Sequence, residues 1–162
     1  MIIHVPNKNT LIIDDFKLRC CIGKKGLKFN KKEGDYSTPK GFFGLRKLYF
    51  RKDRVDIPKT KLNKKIIKRN MAWCDDPKHK KYNEEFKTHN KFFKEKLYRV
   101  DHKYDYIITI SHNKKKISGK GSAVFIHLTS NYKPTAGCVA LIKKDFEILL
   151  KLIDQKTKIK IG

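Results

Sequence analysis

His127 and Cys138 stand on either side of one short polar loop. The run Gly119-Lys-Gly-Ser-Ala-Val-Phe-Ile-His127-Leu leads into it, and Pro134-Thr-Ala-Gly-Cys138-Val-Ala-Leu141 leads out. Ala123 to Leu128 reads as a buried strand with His127 near its end, and Asn131 to Pro134 as a turn. Gly137 leaves the backbone free just before the thiol. A thiol is a poor nucleophile at neutral pH. A nearby imidazole takes its proton and can return it to a leaving group. Such a pair serves acyl transfer: a carbonyl is attacked, an amine leaves, and a thioester forms that an amine or water resolves. The developing oxyanion needs fixed N–H donors, and the backbone of Ala136, Gly137 and Cys138 is the nearest source. The same spacing also fits a core histidine at a strand end and an ordinary buried thiol.

The elements that must position this pair are mostly strands. Residues 1–29 carry short β-rich runs, Ile2–Val5, Thr10–Ile13, Phe16–Ile22 and Leu27–Phe29, with turn signals at Pro6-Asn7, Asp14-Asp15 and Gly23–Gly26. The spacing of the turns predicts an antiparallel meander. Cys20 and Cys21 fall inside a strand and read as core residues. Thr38-Pro39-x-Gly41 reads as a turn, and Phe42, Phe43 and Leu45 open the next strand. Residues 46–100 are the most charged and least regular part. Asp75 and Asp76, before Pro77, read as loop-organising carboxylates; the rest of a hard-cation loop is missing. Phe86 to Tyr98 reads as a short helix or an irregular covering segment. Tyr104 to Ile110 is a strong strand signal. Lys143 to Asp154 reads as an amphipathic helix with Phe146, Leu149, Leu150 and Ile153 on one face. Thr157 to Ile161 alternates as a final strand.

A chain of 162 residues is long enough for one domain with a proper core. Its net charge of +24 invites a nucleic-acid reading. Only six of the 40 basic residues are Arg, however, and the lysines are spread along the whole chain. Attraction to an anionic polymer such as a cell envelope fits the charge equally well, and nucleic acid is not expected as the main partner. The four cysteines at 20, 21, 74 and 138 form no CxxC pair, so neither a zinc site nor a disulfide framework is indicated. No apolar run is long enough to span a membrane, and the N-terminus lacks the features of a signal peptide.

The stretch around His127 and Cys138 resembles the catalytic segment of the L,D-transpeptidase (YkuD-like) family. There, a strand His is followed after about a dozen residues by Ser/Thr-His-Gly-Cys. His127, Thr135, Gly137 and Cys138 match that pattern. Further pieces resemble a short, proteobacterial-type branch of the family, in the expected order. They are Arg19-Cys20-x-Ile22-Gly23, Glu33-Gly34-Asp35, Thr38-Pro39-x-Gly41, Trp73-Cys74-Asp75-Asp76-Pro77, Tyr82-Asn83, Tyr104-Asp105 and Gly119-x-Gly121-Ser122-Ala123. Ala136 replaces the usual second His, and Val139-Ala140-Leu141 replaces a frequent Arg, as in the branch compared.

The resemblance implies a mostly β fold, a β-sandwich or partly open barrel with a short helix after the cysteine, formed by residues 1–162 as a single catalytic domain. It implies a cysteine acyltransferase acting on peptidoglycan stem peptides in the periplasm or cell envelope, with no metal and no organic cofactor. Cys138 would be the nucleophile and His127 the general base, then acid. Thr135, Ala136, Gly137, Gly121 and Ser122 would bind the oxyanion and the substrate. With Ala136 in place of His, transfer to water, a carboxypeptidase outcome, is the nearest rival reading. A basic, non-catalytic binding module is the rival of another class.

Overall fold

The structure, a computed structural model, describes residues 1–90 and 95–162. The first three strands are β1 (Ile2–Asn7), β2 (Thr10–Ile13) and β3 (Phe16–Arg19), each antiparallel to the next. They form the first part of the expected meander; the third strand ends at Arg19, so Cys20 and Cys21 lie just beyond it and not inside it, and the fourth predicted run does not join the meander. Two short strands follow, β4 (Leu27–Lys28) and β5 (Thr38–Pro39), which pair in parallel. Thr38-Pro39 is therefore a strand segment and not the tip of a hairpin. The longest strand, β6 (Gly41–Phe50), then runs between the two halves of the molecule.

Beyond it lie β7 (Asn63–Ile66), β8 (Met71–Trp73), β9 (Glu85–Lys87) and β10 (Tyr106–Ile110). The chain ends with β11 (Phe125–Leu128), β12 (Val139–Leu141), α1 (Lys143–Leu152) and β13 (Lys158–Ile161). The main sheet runs β12-β11-β10-β6-β13-β1-β2-β3, with β7 beside β6. Its two ends nearly meet: Cys21, just past β3, exchanges backbone hydrogen bonds of 2.9 and 2.8 Å with Ala140 of β12. This bridge turns the sheet into an almost closed barrel. The fold is mostly β, with one short helix among the described residues, after Cys138, as the family resemblance implied.

Alternation along the strands divides the interior in two. Leu48 and Phe50, Ile108 and Ile110, and Ile126 and Leu128 point into the barrel, where Phe146, Leu149 and Leu150 of α1 also pack. The intervening residues Tyr49, Ile107 and Phe125 point the other way, into a second cluster with Met71, Leu97 and Tyr104. Hence β10 and β11 are buried on both faces. The helix ends at Leu152, two residues before the predicted limit, but Ile153 is fully buried as expected. Ile159 and Ile161 of β13 share the buried face. In the segment 86–98, Phe86 is part of β9, no helix occurs among the described residues, and residues 91–94 lie outside them. Among the described residues no helix is long and apolar enough to cross a membrane.

Candidate active site

Strands β11 and β12 are parallel neighbours in the register Ile126–Val139, His127–Ala140 and Leu128–Leu141. Because successive residues face opposite sides, Ile126, Val139 and Leu141 enter the barrel. His127 and Cys138 then fall with Phe125 on the other face. Both side chains border one cleft of about 710 Å³. Parallel neighbours need a crossover, and here it is the polar loop between Leu128 and Cys138. The loop therefore does more than reverse the chain: it carries Cys138 back to the side of the sheet from which His127 projects.

The thiol is tied to the strand opposite. Cys138 Sγ donates to Ala123 O at 3.1 Å and accepts from the Phe125 N–H at 3.3 Å. Ala123 adopts φ +50°, a left-handed conformation that costs a non-glycine residue energy. Asn83 holds it there. Its Oδ1 accepts from the Ala123 N–H (3.2 Å) and from Trp73 Nε1 (3.0 Å), while its Nδ2 donates to His112 O and Asn113 O. The strand predicted to start at Ala123 thus starts at Phe125, because the chain kinks to aim a carbonyl at the sulfur.

His127 Nδ1 lies 2.8 Å from Leu128 O. A carbonyl can only accept, so Nδ1 carries the proton and Nε2 is the free lone pair. The ring packs edge-on against Tyr104, with centroids 5.4 Å apart. Burial pushes the imidazole down to about 4, against the opposing effect of the Leu128 carbonyl. Burial likewise pushes the Cys138 thiol up to about 12. At neutral pH the pair is therefore a neutral thiol and a neutral imidazole. The depressed histidine has a consequence for stability. The folded protein binds this proton less well than the unfolded chain, so stability is lost as pH falls from the ordinary histidine value toward 4. Urea unfolding is expected to show about 2 kcal/mol less of this pH 7 to 4.5 loss in His127→Gln. An equal loss in both proteins would mean that the imidazole is not held neutral.

The loop before Cys138 is fixed by segments distant in sequence. Thr135 N–H donates to Ile22 O, and Lys24 N–H donates to Thr135 O, both at 2.9 Å. Thr38 Oγ1 accepts from the Gly23 N–H and donates to Gly137 O, both at 2.8 Å. A Cβ at Gly23 would sit 2.6 Å from Tyr36 O, and one at Gly137 (φ +151°) would sit 2.8 Å from Ser37 O. These close approaches explain both glycines. Thr135 Oγ1 donates to Cys138 O and accepts from the Gly137 N–H. The Gly137 N–H is thereby used within the turn, whereas the N–H groups of Ala136 and Cys138 donate to no partner among the described residues. Cys138 N–H and Ala136 N–H are thus left as open donors beside the thiol.

Lys31 escaped the sequence reading because it is one lysine among many. It is buried, and its ammonium donates to Ser37 O (2.7 Å) and Asp35 Oδ1 (2.9 Å). Burial works to raise the Asp35 carboxyl, but the Lys32 N–H, the Lys31 ammonium and Ser37 together hold it well below the usual range. Lys31 thus organises the loop that carries Thr38 against Gly137. Lys31→Met is expected to lose about 3 kcal/mol of stability, the scale for breaking a buried pair, read by urea unfolding. A loss below about 1 kcal/mol would show that the pair is screened as a surface pair is.

The family model of the YkuD L,D-transpeptidase catalytic domain matches residues 1–161. The chain belongs to the YkuD family. Two solved structures of the helical cell shape determining protein Pgp2 from Campylobacter jejuni share the fold. One gives a TM-score of 0.53 at 17% identity, and its K307A mutant gives 0.54 at 16%. Each is covered over 99% of this chain but 46% of its own, so the chain spans less than half the length of those proteins. No curated protein matches it.

Within this YkuD domain, the scattered motifs become one assembly. Cys21 to Gly23 brace the cysteine loop, Glu33 to Thr38 supply its underside, and Trp73, Tyr82 and Asn83 hold the turn before β11. Gly121 does not border the cleft. Its N–H donates to the Tyr82 hydroxyl and its carbonyl accepts from Asn113. Ser122, beside it, does border the cleft, as do Thr135, Ala136 and Gly137. Cys20 and Cys21 are buried and free, with Cys20 in the barrel core. Asp76 accepts from the Lys78 N–H, the loop-organising role expected of it.

Proposed function

We propose that this chain is the catalytic domain of a peptidoglycan L,D-transpeptidase acting in the periplasm or cell envelope. The reading rests on family membership and on one observation above all: the β11–β12 register sets His127 and Cys138 on one face of the sheet, at one cleft.

The donor is a stem peptide whose penultimate carbonyl lies at Cys138. As Sγ attacks, its proton passes to His127 Nε2, and the carbonyl oxygen gathers charge toward the N–H groups of Cys138 and Ala136. The C–N bond breaks, His127 gives its proton to the departing terminal D-amino acid, and a thioester remains on Cys138. An acceptor amine then attacks the thioester and loses a proton to His127. The C–S bond breaks, and the thiol recovers that proton. Because both groups rest neutral, proton transfer accompanies attack and no thiolate is stored beforehand. With Ala at 136 no second imidazole assists, so the acceptor is positioned by other parts of the cleft.

Mass spectrometry after incubation with a tetrapeptide stem tests the reading. The expected result is an acyl adduct on Cys138 and a crosslinked peptide. A released tripeptide without crosslink would assign hydrolysis on the same thioester. Absence of any adduct from folded protein would overturn both and favour a binding module.

A further inference from the structure

The strand register defines a second surface, on the outside of the barrel. Phe42 of β6 lies opposite Lys160 of β13, Lys160 opposite His4 of β1, His4 opposite Ile12 of β2, and Ile12 opposite Lys17 of β3. Their neighbours Ile159, Ile3, Ile13 and Leu18 point into the core, so these five side chains form one row on the outer face. In the next row Gly44 lies opposite Lys158, and Lys158 opposite Ile2. Gly44 offers no side chain, and the Lys158 ammonium reaches over the Phe42 ring, 5.5 Å from its centroid. The stem of Lys40 crosses Gly162, two residues beyond Lys160, and its ammonium stands 4.9 Å from the centroid of Phe29. None of these residues borders the catalytic cleft.

The composition of this face is unusual. Phe29 is 77% exposed, Ile2 53% and Phe42 51%. Single exposed apolar side chains are ordinary. Here they lie along one surface, interleaved with Lys17, Lys40, Lys158 and Lys160. None of these four lysines forms an ion pair among the described residues. No carboxylate occupies either row; Asp14 and Asp15 lie beyond them, in the turn between β2 and β3.

A partner for this face must offer negative charge and an apolar phase together. A second copy does not, because it would lay lysines against lysines in a chain of net charge +24. A soluble polyanion answers the lysines but leaves the phenylalanines and isoleucines in water. A bilayer with anionic headgroups answers both: its phosphates attract lysines, and apolar side chains enter the boundary below them. We propose that this face docks the domain on an anionic lipid surface. Phe29 and Phe42 enter the headgroup layer, and the ammonium that each carries is brought to the depth of the phosphates. The docking is peripheral and does not depend on the reaction assigned to Cys138.

Vesicles of phosphatidylglycerol and phosphatidylcholine in equal amounts, and vesicles of phosphatidylcholine alone, are sedimented with the protein in about 0.15 M salt. Partition onto the anionic vesicles is expected to exceed that onto the neutral ones by roughly 100-fold or more. Lys158→Gln with Lys160→Gln is expected to lower it roughly 10-fold, and so is Phe29→Ser with Phe42→Ser. All four positions are exposed, and circular dichroism checks that each variant is folded. Charge alone draws so basic a chain to anionic lipid, so orientation is the deciding readout. Tryptophan is introduced by Phe42→Trp or, as a control, by Ile117→Trp, at an exposed apolar position beside Lys114, Lys115 and Lys116. Trp73 is the background common to both. Lipids brominated on the acyl chain are expected to quench the first tryptophan and spare the second. Equal quenching at the two sites, or partition untouched by the paired phenylalanine substitutions, overturns the proposal and leaves adsorption by charge alone. Absence of partition onto anionic vesicles also overturns it. In that case heparin binding that falls with the paired lysine substitutions would reassign the face to a soluble polyanion.

Discussion

Cys138→Ala is expected to abolish the acyl adduct and to lower turnover of a tetrapeptide stem by roughly 10⁴-fold or more, the scale seen when a covalent nucleophile is removed. All four cysteines are buried, so generic alkylation separates them poorly. A substrate-derived adduct is the sharper readout, because only the thiol at the cleft can attack a bound carbonyl. The substitution should leave the fold standing. It removes two weak sulfur hydrogen bonds, to Ala123 O and from the Phe125 N–H, and one small side chain from a cluster dominated by aromatics. The stability loss is expected to be about 1 kcal/mol. Thermal unfolding distinguishes a dead enzyme from an unfolded one. Retained turnover in a folded Cys138→Ala protein would remove the thiol from the mechanism. Adduct formation on Cys20, Cys21 or Cys74 in its place would relocate the nucleophile.

His127→Ala is expected to slow acylation by roughly 100-fold or more, and its pH dependence carries the stronger test. In the wild type the imidazole titrates near 4 and the thiol near 12. Between those values both reacting partners stay neutral, so the acylation rate should be nearly flat from about pH 6 to 8. Without His127 a solvent base must take the thiol proton. The residual rate should then climb about 10-fold per pH unit across the same range, following the thiolate fraction. A flat profile in both proteins, or an unchanged rate at pH 7, would show that another group receives the proton. Tyr104 is not that group. Burial, with the charge of Glu95, holds its hydroxyl proton far more tightly than free tyrosine does.

The two buried networks around the pair act on different atoms. Asn83 sets the left-handed Ala123 and so the carbonyl that receives the thiol proton at rest. Lys31, through Ser37 and Thr38, sets the backbone of Gly137 and with it the free N–H of Cys138. Loosening the first would change where the sulfur points. Loosening the second would change where the Cys138 N–H points. Burial keeps the resting pair neutral, and the two networks fix the backbone around it. Every fixed dipole is supplied by backbone whose position is decided elsewhere in the chain.

Much of this protein was legible in its residues alone. Short β-rich runs between turn signals marked the N-terminal strands, alternation marked the last strand, and the spacing of Phe146, Leu149, Leu150 and Ile153 marked the helix. These signals are local: a residue's face follows from the period of its own element. The ordered motifs also indicated the family to which the chain belongs. Only the tertiary structure decided how β12 lies parallel to β11, how Cys21 closes the barrel against Ala140, and how Thr38 grips Gly137. Those pairings join positions far apart in sequence, and nothing in either partner's neighbourhood announces the other. The role of Lys31 was hidden for a related reason. Composition counts charges, but a charge acquires its meaning from burial and from the partner it has or lacks. In a lysine-rich chain, only the fold distinguishes the buried lysine from the solvated ones.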